Sequence, residues 1–192
     1  MANLVQMATG AVRVVFTPQI LLMVTKVYIP FLFPLTFLIS MLALWLDRAL
    51  GFGGGLLPAP ANYVVAGGLM AAGLAFVGVT YAELVFEGKG SPSPTAGRTL
   101  RLVRSGIYAY SRNPSVIGKL LGFLAVGVAL NSFTFVVILA PLLLAGSLVE
   151  KVVRQEPQLI EIFGEEYEAY RREVPLFFPW RLFGIKPPFS SL

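Results

Sequence analysis

The chain has 192 residues, of which 56% are hydrophobic and only 13% are charged, and its formal net charge is +5. Because soluble domains carry about 25% charged residues, this composition excludes an ordinary soluble protein and indicates a membrane protein without a nucleic-acid partner. The absence of cysteine and histidine excludes disulfides, thiolate ligands and the commonest metal-binding side chain, so we expect no metal site.

The first 25 residues are apolar but are interrupted by Arg13 and Pro18. They lack the basic start and small-residue cleavage site of a signal peptide. Two interpretations stay open for this segment: an amphipathic stretch lying in the membrane interface, or an additional short or re-entrant span.

Four apolar stretches come close to the roughly 20 residues that a helix needs to cross the hydrocarbon core. They are residues 27–46, 62–82, 114–130 and 133–149. A glycine- and proline-rich loop, 47–61, separates the first two, and a tight turn separates the last two. The last span is expected to bend near Pro141, whose missing amide frees the carbonyl of Val137.

The segment between the second and third spans is basic. Against Glu83 and Glu87 it carries five cations: Lys89, Arg98, Arg101, Arg104 and Arg112. The positive-inside rule then places this segment, both termini and any site formed here in the cytoplasm, with only Arg48 on the other side.

Beyond residue 149 the pattern becomes amphiphilic. Glu150 with Arg154 and Glu168 with Arg172 have the i,i+4 spacing of helical ion pairs, and Gly164 divides this region into two helices. The predicted fold class is therefore all-α: an integral membrane bundle of four transmembrane helices, five if the N-terminal segment crosses, with a cytoplasmic C-terminal helical region. We divide it into residues 1–86 and a core of residues 87–192.

Two polar segments, 87–114 and 150–164, flank the last two spans and should meet at one membrane face. They offer several cations, Glu156 for a cationic group, and Tyr108 and Tyr110 for stacking. A basic collar for acidic headgroups would need no more than the cations. The ordered Tyr-x-Tyr-x-Arg-Asn-Pro, preceded by the permissive Gly106, instead suggests a shaped pocket.

Several motifs in order carry a family resemblance. They are Gly88-Lys-Gly-Ser-Pro-Ser-Pro, Leu102-Val-Arg-Ser-Gly-Ile-Tyr, Ser111-Arg-Asn-Pro-Ser, and a run from Glu156 to Pro175 containing Phe-Gly-Glu-Glu-Tyr. Together they resemble the isoprenylcysteine carboxyl methyltransferase and phospholipid methyltransferase superfamily over residues 88–179. The resemblance implies an integral membrane enzyme that binds S-adenosylmethionine on the cytoplasmic side and methylates a lipid-borne acceptor.

The resemblance also implies roles for individual residues. The catalytic positions fall on Arg112 and Glu156, and Lys151 or Arg154 lies where the family places a basic residue facing the acceptor. The cofactor-binding positions fall on Leu102, Val103, Gly106, Tyr108, Asn113, Pro114, Ser115, Gln155 and Glu156. Three positions depart from the usual pattern: Asn113 replaces a common histidine, Val116 a tyrosine, and Gln155 the first of two paired glutamates.

The acceptor determines what else the site needs. A carboxylate is already nucleophilic, whereas a protonated amine must first lose its proton to a base. Only Glu83, Glu87, Glu156 or a tyrosine could be that base, which slightly favours a carboxylate acceptor. The alternatives are a nicotinamide-dependent membrane lipid or sterol reductase, and a non-catalytic lipid-binding membrane scaffold.

Overall fold

The computed structural model describes residues 33–88 and 101–177. In these ranges the regular structure is helical and contains no strand: α1 (Phe33–Leu50), α2 (Ala61–Phe86), a 3-10 turn (Gly106–Ala109), α3 (Pro114–Ala129), α4 (Phe135–Phe163) and α5 (Glu165–Glu173). The predicted all-α class is confirmed. The N-terminal segment 1–25, Lys89 and Arg98 lie outside the described residues.

Three of these helices are long and apolar enough to cross a membrane. The mean hydropathy of their most apolar windows is 1.5 for α1, 1.8 for α2 and 2.1 for α4, and few of the residues in those windows are buried within the protein. Helix α3 is apolar but shorter, and it coincides with the predicted third span. The helices therefore agree with the predicted membrane bundle.

Helix α1 ends later than predicted. The glycine-rich loop was expected from residue 47, but the helix continues to Leu50 because Ala49 and Leu50 are good helix formers. It stops at Gly51, which has a φ of +79°, and the amide of Phe52 donates to the carbonyl of Asp47 at 2.8 Å. This is the Schellman arrangement, and it keeps Asp47 inside the helix.

Helix α4 is continuous where the sequence suggested a span followed by a separate helix. Two segments of π-helix, Phe135–Leu139 and Lys151–Gln155, lie within it. The first ends just before Pro141, where a bend was expected, and a π segment is a common response to a disturbed hydrogen-bond ladder. At Gly164, with a φ of +54°, the helix ends and α5 begins, as predicted.

The chain forms two compact units. The first contains residues up to Ala75 together with Leu120–Leu143, and its core is built on Ala43, Phe135 and Ala140. Its polar network joins the end of α1 to the start of α4. Asp47 accepts from the Ser132 hydroxyl at 2.5 Å and from the Thr134 amide at 2.8 Å.

The second unit contains Phe76–Lys119 and the residues from Leu144 onward. Its buried cluster is Tyr167, Tyr170 and Val174, against which Leu102 and residues of the last turns of α4 pack. This unit carries every residue that the sequence singled out for a site.

Candidate functional site

The two polar segments predicted to meet, 87–114 and 150–164, are joined by the ion pair of Arg112 and Glu156 in the second unit. The first segment also contacts the residues that follow α5. The amide of Arg112 donates to the carbonyl of Pro175 at 2.9 Å, and the Asn113 side chain donates to the carbonyl of Leu176 at 3.1 Å. The hydrogen bonds therefore hold the residues immediately before α3 against the chain that follows α5.

A buried ion pair lies within this unit. Arg112 Nη1 donates to Glu156 Oε1, with 10% and 5% of the two side chains exposed, and Arg171 Nε lies 3.6 Å from the other carboxylate oxygen. Both predicted catalytic residues thus contact each other. The Nε–H of Arg112 is buried and has no hydrogen-bond partner among the described residues, so one donor of this guanidinium is left over.

Tyr167 and Tyr170 lie near this pair, and Tyr108 is joined to Tyr170 by a hydrogen bond. Burial, and secondarily the Glu156 carboxylate, raises the pKa of Tyr167. Burial likewise raises the pKa of Tyr108 and of Tyr170, and the Tyr170 hydroxyl donates to the Tyr108 carbonyl at 2.7 Å. Tyr167 and Tyr170 were not predicted as site residues, although their spacing of three places them on one face of a helix.

The π-helical segment Lys151–Gln155 forms a second polar cluster. Gln155 Nε2 donates to the two Glu150 oxygens at 3.1 and 3.3 Å, and Lys151 Nζ donates to Gln155 Oε1 at 2.6 Å. Wider π turns bring residues five apart onto one side of the helix, which permits the Glu150 contact. An amide can donate to Glu150 and accept from Lys151 at once, whereas a glutamate at position 155 would oppose Glu150.

The turn containing Gly106 is held by two carboxylates at the end of α2. The Glu83 oxygens accept from the Ile107 amide at 3.0 and 3.3 Å, and the Ser105 hydroxyl bonds to Glu87. Gly106 has a φ of +56°, and a β-carbon there would overlap the Glu83 carboxylate. Both glutamates were expected as possible bases, whereas in the structure both accept hydrogen bonds from the turn. The i,i+4 spacing of Glu83 and Glu87 places both carboxylates on one face of a helix, and this was the sequence signal that they contact the same segment.

The remaining predicted residues divide into packing and surface positions. Val103, Pro114, Ser115 and Val116 are buried, and Leu102 packs against the tyrosine cluster. Val116 is fully buried, so the residue that replaces the family's usual tyrosine fills the core of this unit. Arg154 is exposed, and Arg104 pairs with Glu173 at 3.3 Å on the surface.

The charges of Arg112 and Glu156 fit a ligand such as S-adenosylmethionine, which carries both a carboxylate and a positively charged sulfonium. The leftover Arg112 Nε–H can donate to the carboxylate, and the Glu156 carboxylate favours positive charge nearby. In residues 33–88 and 101–177, no group of three or more acidic side chains is arranged to hold a metal ion.

Comparison with known proteins identifies the family. The family model described as phospholipid methyltransferase matches residues 61–166, which is more than half of the chain. The chain therefore belongs to the phospholipid methyltransferase family, and the resemblance drawn from its motifs is confirmed. No solved structure gives a significant match.

Three curated proteins are similar over part of their length. The protein-S-isoprenylcysteine O-methyltransferase of Schizosaccharomyces pombe is 35% identical over 78 residues, which are 41% of this chain and 33% of that protein. The cobalt-zinc-cadmium resistance protein CzcN of Cupriavidus metallidurans is 30% identical over 112 residues, 58% of this chain and 47% of that one. The nickel-cobalt-cadmium resistance protein NccN of Alcaligenes xylosoxydans xylosoxydans is 28% identical over 112 residues, with coverages of 58% and 48%. The matched region spans from a third to about half of the length of these relatives.

Proposed function

We propose that this member of the phospholipid methyltransferase family transfers a methyl group from S-adenosylmethionine to a lipidated or apolar acceptor in the membrane. The observation that carries the proposal is the buried Arg112–Glu156 ion pair. The two residues are 44 positions apart in sequence, and both fall inside the region that the family model matches. A buried ion pair is costly to desolvate, so its presence in a membrane protein points to a use in binding.

When bound, S-adenosylmethionine supplies a methyl group on a positively charged sulfur, and that charge disappears as the methyl leaves. In this proposal Arg112 holds the cofactor carboxylate through its unpaired Nε–H, and Glu156 stabilises the cofactor's positive charge. Arg112 and Glu156 are the proposed catalytic residues. The proposed binding wall consists of the backbone and side chains of Leu102, Val103, Gly106, Tyr108, Asn113, Pro114 and Ser115, together with Gln155.

The engagement of the carboxylates supports an acceptor that needs no base. Glu156 contacts two arginines, Glu83 accepts from the Ile107 amide, and Glu87 bonds to Ser105. The phenols of the buried tyrosines hold their protons tightly, because burial raises their pKa. A carboxylate acceptor is ionised without help, whereas an ammonium acceptor would need one of these groups freed. The name of the Schizosaccharomyces pombe relative, an O-methyltransferase, is in keeping with an oxygen acceptor.

We further propose that the site and both termini face the cytoplasm. The second unit exposes several cations, among them Arg101, Arg154 and Arg172, whereas the loop following α1 has only Arg48 nearby. The positive-inside rule is the basis of this orientation. Labelling of single cysteines introduced at exposed positions 172 and 53 with an impermeant reagent in intact cells tests it, since only position 53 should react.

Cofactor binding is the most direct test of the function. Protein purified in detergent should bind S-adenosylmethionine and its demethylated product saturably in calorimetry, and Arg112→Ala and Glu156→Ala should each weaken binding at least about tenfold. The matched control is Arg104→Ala, because Arg104 also pairs with a glutamate but on the surface. Titration with reduced nicotinamide cofactor should give no heat.

Methyl transfer is then measured with radiolabelled cofactor. We expect label on an N-acetylated S-isoprenylcysteine with a free carboxylate, and none on the corresponding amide. Saturable nicotinamide binding instead would establish a reductase, and a folded protein that binds neither cofactor would be a scaffold; either result would overturn the proposed function.

A further inference from the structure

Arg171 is a second arginine at the Glu156 carboxylate, and it was not among the predicted site residues. Its Nε atom lies 3.6 Å from Glu156 Oε2, while Arg112 donates to Glu156 Oε1. The two arginines differ in their surroundings, because 50% of the Arg171 side chain is exposed and only 10% of the Arg112 side chain is. The buried carboxylate therefore has a buried cation on one side and a half-exposed cation on the other.

The break between α4 and α5 brings Arg171 to this position. At about 1.5 Å per residue, Glu156 and Arg171 would be about 22 Å apart along one continuous helix. Gly164, with a φ of +54°, ends α4 instead, and the last turn of α5 returns to Glu156. Tyr167, one helical turn before Arg171, also lies against the Glu156 carboxylate. One side of α5 thus faces the proposed cofactor site.

The contact of Arg171 with Glu156 is looser than that of Arg112. A distance of 3.6 Å is too long for a hydrogen bond, so Arg171 acts on the carboxylate through its charge alone. Water screens a half-exposed ion pair, and such pairs contribute little to the stability of a fold. The charge of Arg171 should therefore matter more for a ligand that binds at Glu156 than for folding.

Two guanidinium groups beside one carboxylate leave this part of the site with a net positive charge. A sulfonium bound next to Glu156 would be attracted by the carboxylate and repelled by both arginines. The demethylated product has the same amino-acid end as the donor, but its sulfur is neutral. Arg171 therefore opposes the binding of the charged donor and has no such effect on the neutral product.

We propose that Arg171 is a specificity-determining residue that weakens binding of the charged methyl donor relative to binding of the neutral product. The proposal rests on the proposed function and adds a residue to that site. During methyl transfer the carbon–sulfur bond breaks, its electron pair stays on the sulfur, and the acceptor oxygen gains the methyl group. The attraction between Glu156 and the sulfonium is lost along this path, so it stabilises the bound donor more than the transition state. Arg171 reduces that attraction and so limits its contribution to the barrier.

Calorimetric titration of the purified protein with three ligands tests the proposal. The ligands are S-adenosylmethionine, its demethylated product, and a non-reactive analogue with an ammonium group in place of the sulfonium. We expect Arg171→Gln to bind the two cationic ligands about three- to fivefold more tightly than the wild type, and to bind the neutral product as the wild type does. Arg171→Lys keeps the charge and should restore the wild-type affinities. The matched control is Arg172→Gln, which removes the adjacent exposed cation at the same helix end and should change none of the affinities.

The sign of the effect separates this role from its alternatives. Weaker binding of all three ligands to Arg171→Gln would mean that Arg171 holds the carboxylate that they share, and it would overturn the proposal. Unchanged affinities in Arg171→Gln would overturn it as well. The proposed function survives both results, since the wild type still binds the donor. Failure of the wild type to bind the donor would instead refute the proposed function and this inference together.

Single-turnover methyl transfer to the isoprenylcysteine acceptor gives a second readout. At saturating donor, Arg171→Gln should transfer the methyl group more slowly than the wild type, although it binds the donor more tightly. A merely structural role for Arg171 would not produce this combination. An unchanged or faster transfer in Arg171→Gln would contradict the proposed effect of Arg171 on the barrier.

Discussion

The carboxylate of Glu83 occupies the position that a β-carbon on Gly106 would need. Glu83 lies near the end of α2, and Gly106 begins the 3-10 turn that leads to Tyr108. The carboxylate accepts from the next amide, that of Ile107, and only a residue without a side chain allows this approach. The turn that contributes Tyr108 to the proposed site is thus held by a contact to the adjacent helix.

Gly106→Ala should disrupt this turn. The substitution adds a β-carbon at a φ of +56°, which costs about 1–2 kcal/mol, and displaces the Glu83 carboxylate as well. We expect lower thermal stability in detergent and at least about a tenfold loss of S-adenosylmethionine affinity. Gly122→Ala is the matched control, because Gly122 lies within α3 with open space beside it and alanine favours helix. Equal effects of the two substitutions would contradict the role of Gly106.

Glu83→Ala should loosen the same turn from the other side. The Ile107 amide would lose its acceptor, at a cost of about 1–3 kcal/mol if it stays buried. Glu83→Gln keeps an acceptor oxygen and should recover most of the stability and of the cofactor affinity. If the glutamine variant were as impaired as the alanine variant, the negative charge of Glu83 rather than its hydrogen bond would be required.

The Arg112–Glu156 pair should behave as a buried pair. Removing Glu156 leaves the buried Arg112 charge uncompensated, which costs about 3–5 kcal/mol of unfolding free energy. Removing Arg112 should cost less, because Glu156 keeps its contact with the half-exposed Arg171. Replacing both residues should cost less than the sum of the single changes, so a double-mutant cycle should give a clear coupling energy. The same cycle on Arg104 and Glu173, which are 40% and 60% exposed, should give less than about 1 kcal/mol. Similar coupling energies for both pairs would refute the distinction.

The local sequence pattern was sufficient to predict most of the fold. Apolar length predicted the helices, Gly164 predicted the division between α4 and α5, and hydropathy is a strong signal because a membrane leaves few alternatives to helix. The predicted C-terminal end of α1 and the predicted break in α4 after residue 149 were wrong, since a helix end depends on capping contacts and on packing.

The contacts within the candidate site were harder to predict from the sequence than the helices were. The motifs placed Arg112 and Glu156 correctly in one unit, but their mutual ion pair depends on how α3 and α4 pack. The π-helical segment around Gln155 has no local sequence signal, because it differs from α-helix by a single residue in the hydrogen-bond ladder. The Glu83 contact to Ile107 spans 24 positions, and spacing alone could not predict it.

The polar network of the first unit should stabilise the fold and should have no part in cofactor binding. Asp47 and the Ser132 hydroxyl satisfy amides at the start of α4, those of Thr134 and Phe135. Asp47→Ala would leave the Thr134 amide and the Ser132 hydroxyl without an acceptor, and we expect a loss of about 1–3 kcal/mol of unfolding free energy. Cofactor affinity of the folded fraction should be unchanged, because the proposed site lies in the second unit. The exposed neighbour Arg48 gives the control Arg48→Ala, which should affect neither; a loss of cofactor affinity in Asp47→Ala would contradict the assignment.

The buried phenols should make stability fall at high pH. Burial raises the pKa of Tyr170, whose neutral hydroxyl donates to the Tyr108 carbonyl, whereas in the unfolded chain a phenol ionises near pH 10. Above pH 10 the unfolded state therefore binds fewer protons than the folded state, and the unfolding free energy decreases as the pH rises.

Tyr170→Phe isolates this effect. The variant should lose about 1 kcal/mol at neutral pH through the missing hydrogen bond, and its stability should decline less steeply than that of the wild type above pH 10. Denaturant unfolding of the detergent-solubilised protein at pH 8 to about 11 measures both quantities. The control is Tyr110→Phe, because 40% of the Tyr110 side chain is exposed. A Tyr170→Phe profile parallel to that of the wild type would mean that the Tyr170 phenol is not held neutral by the fold.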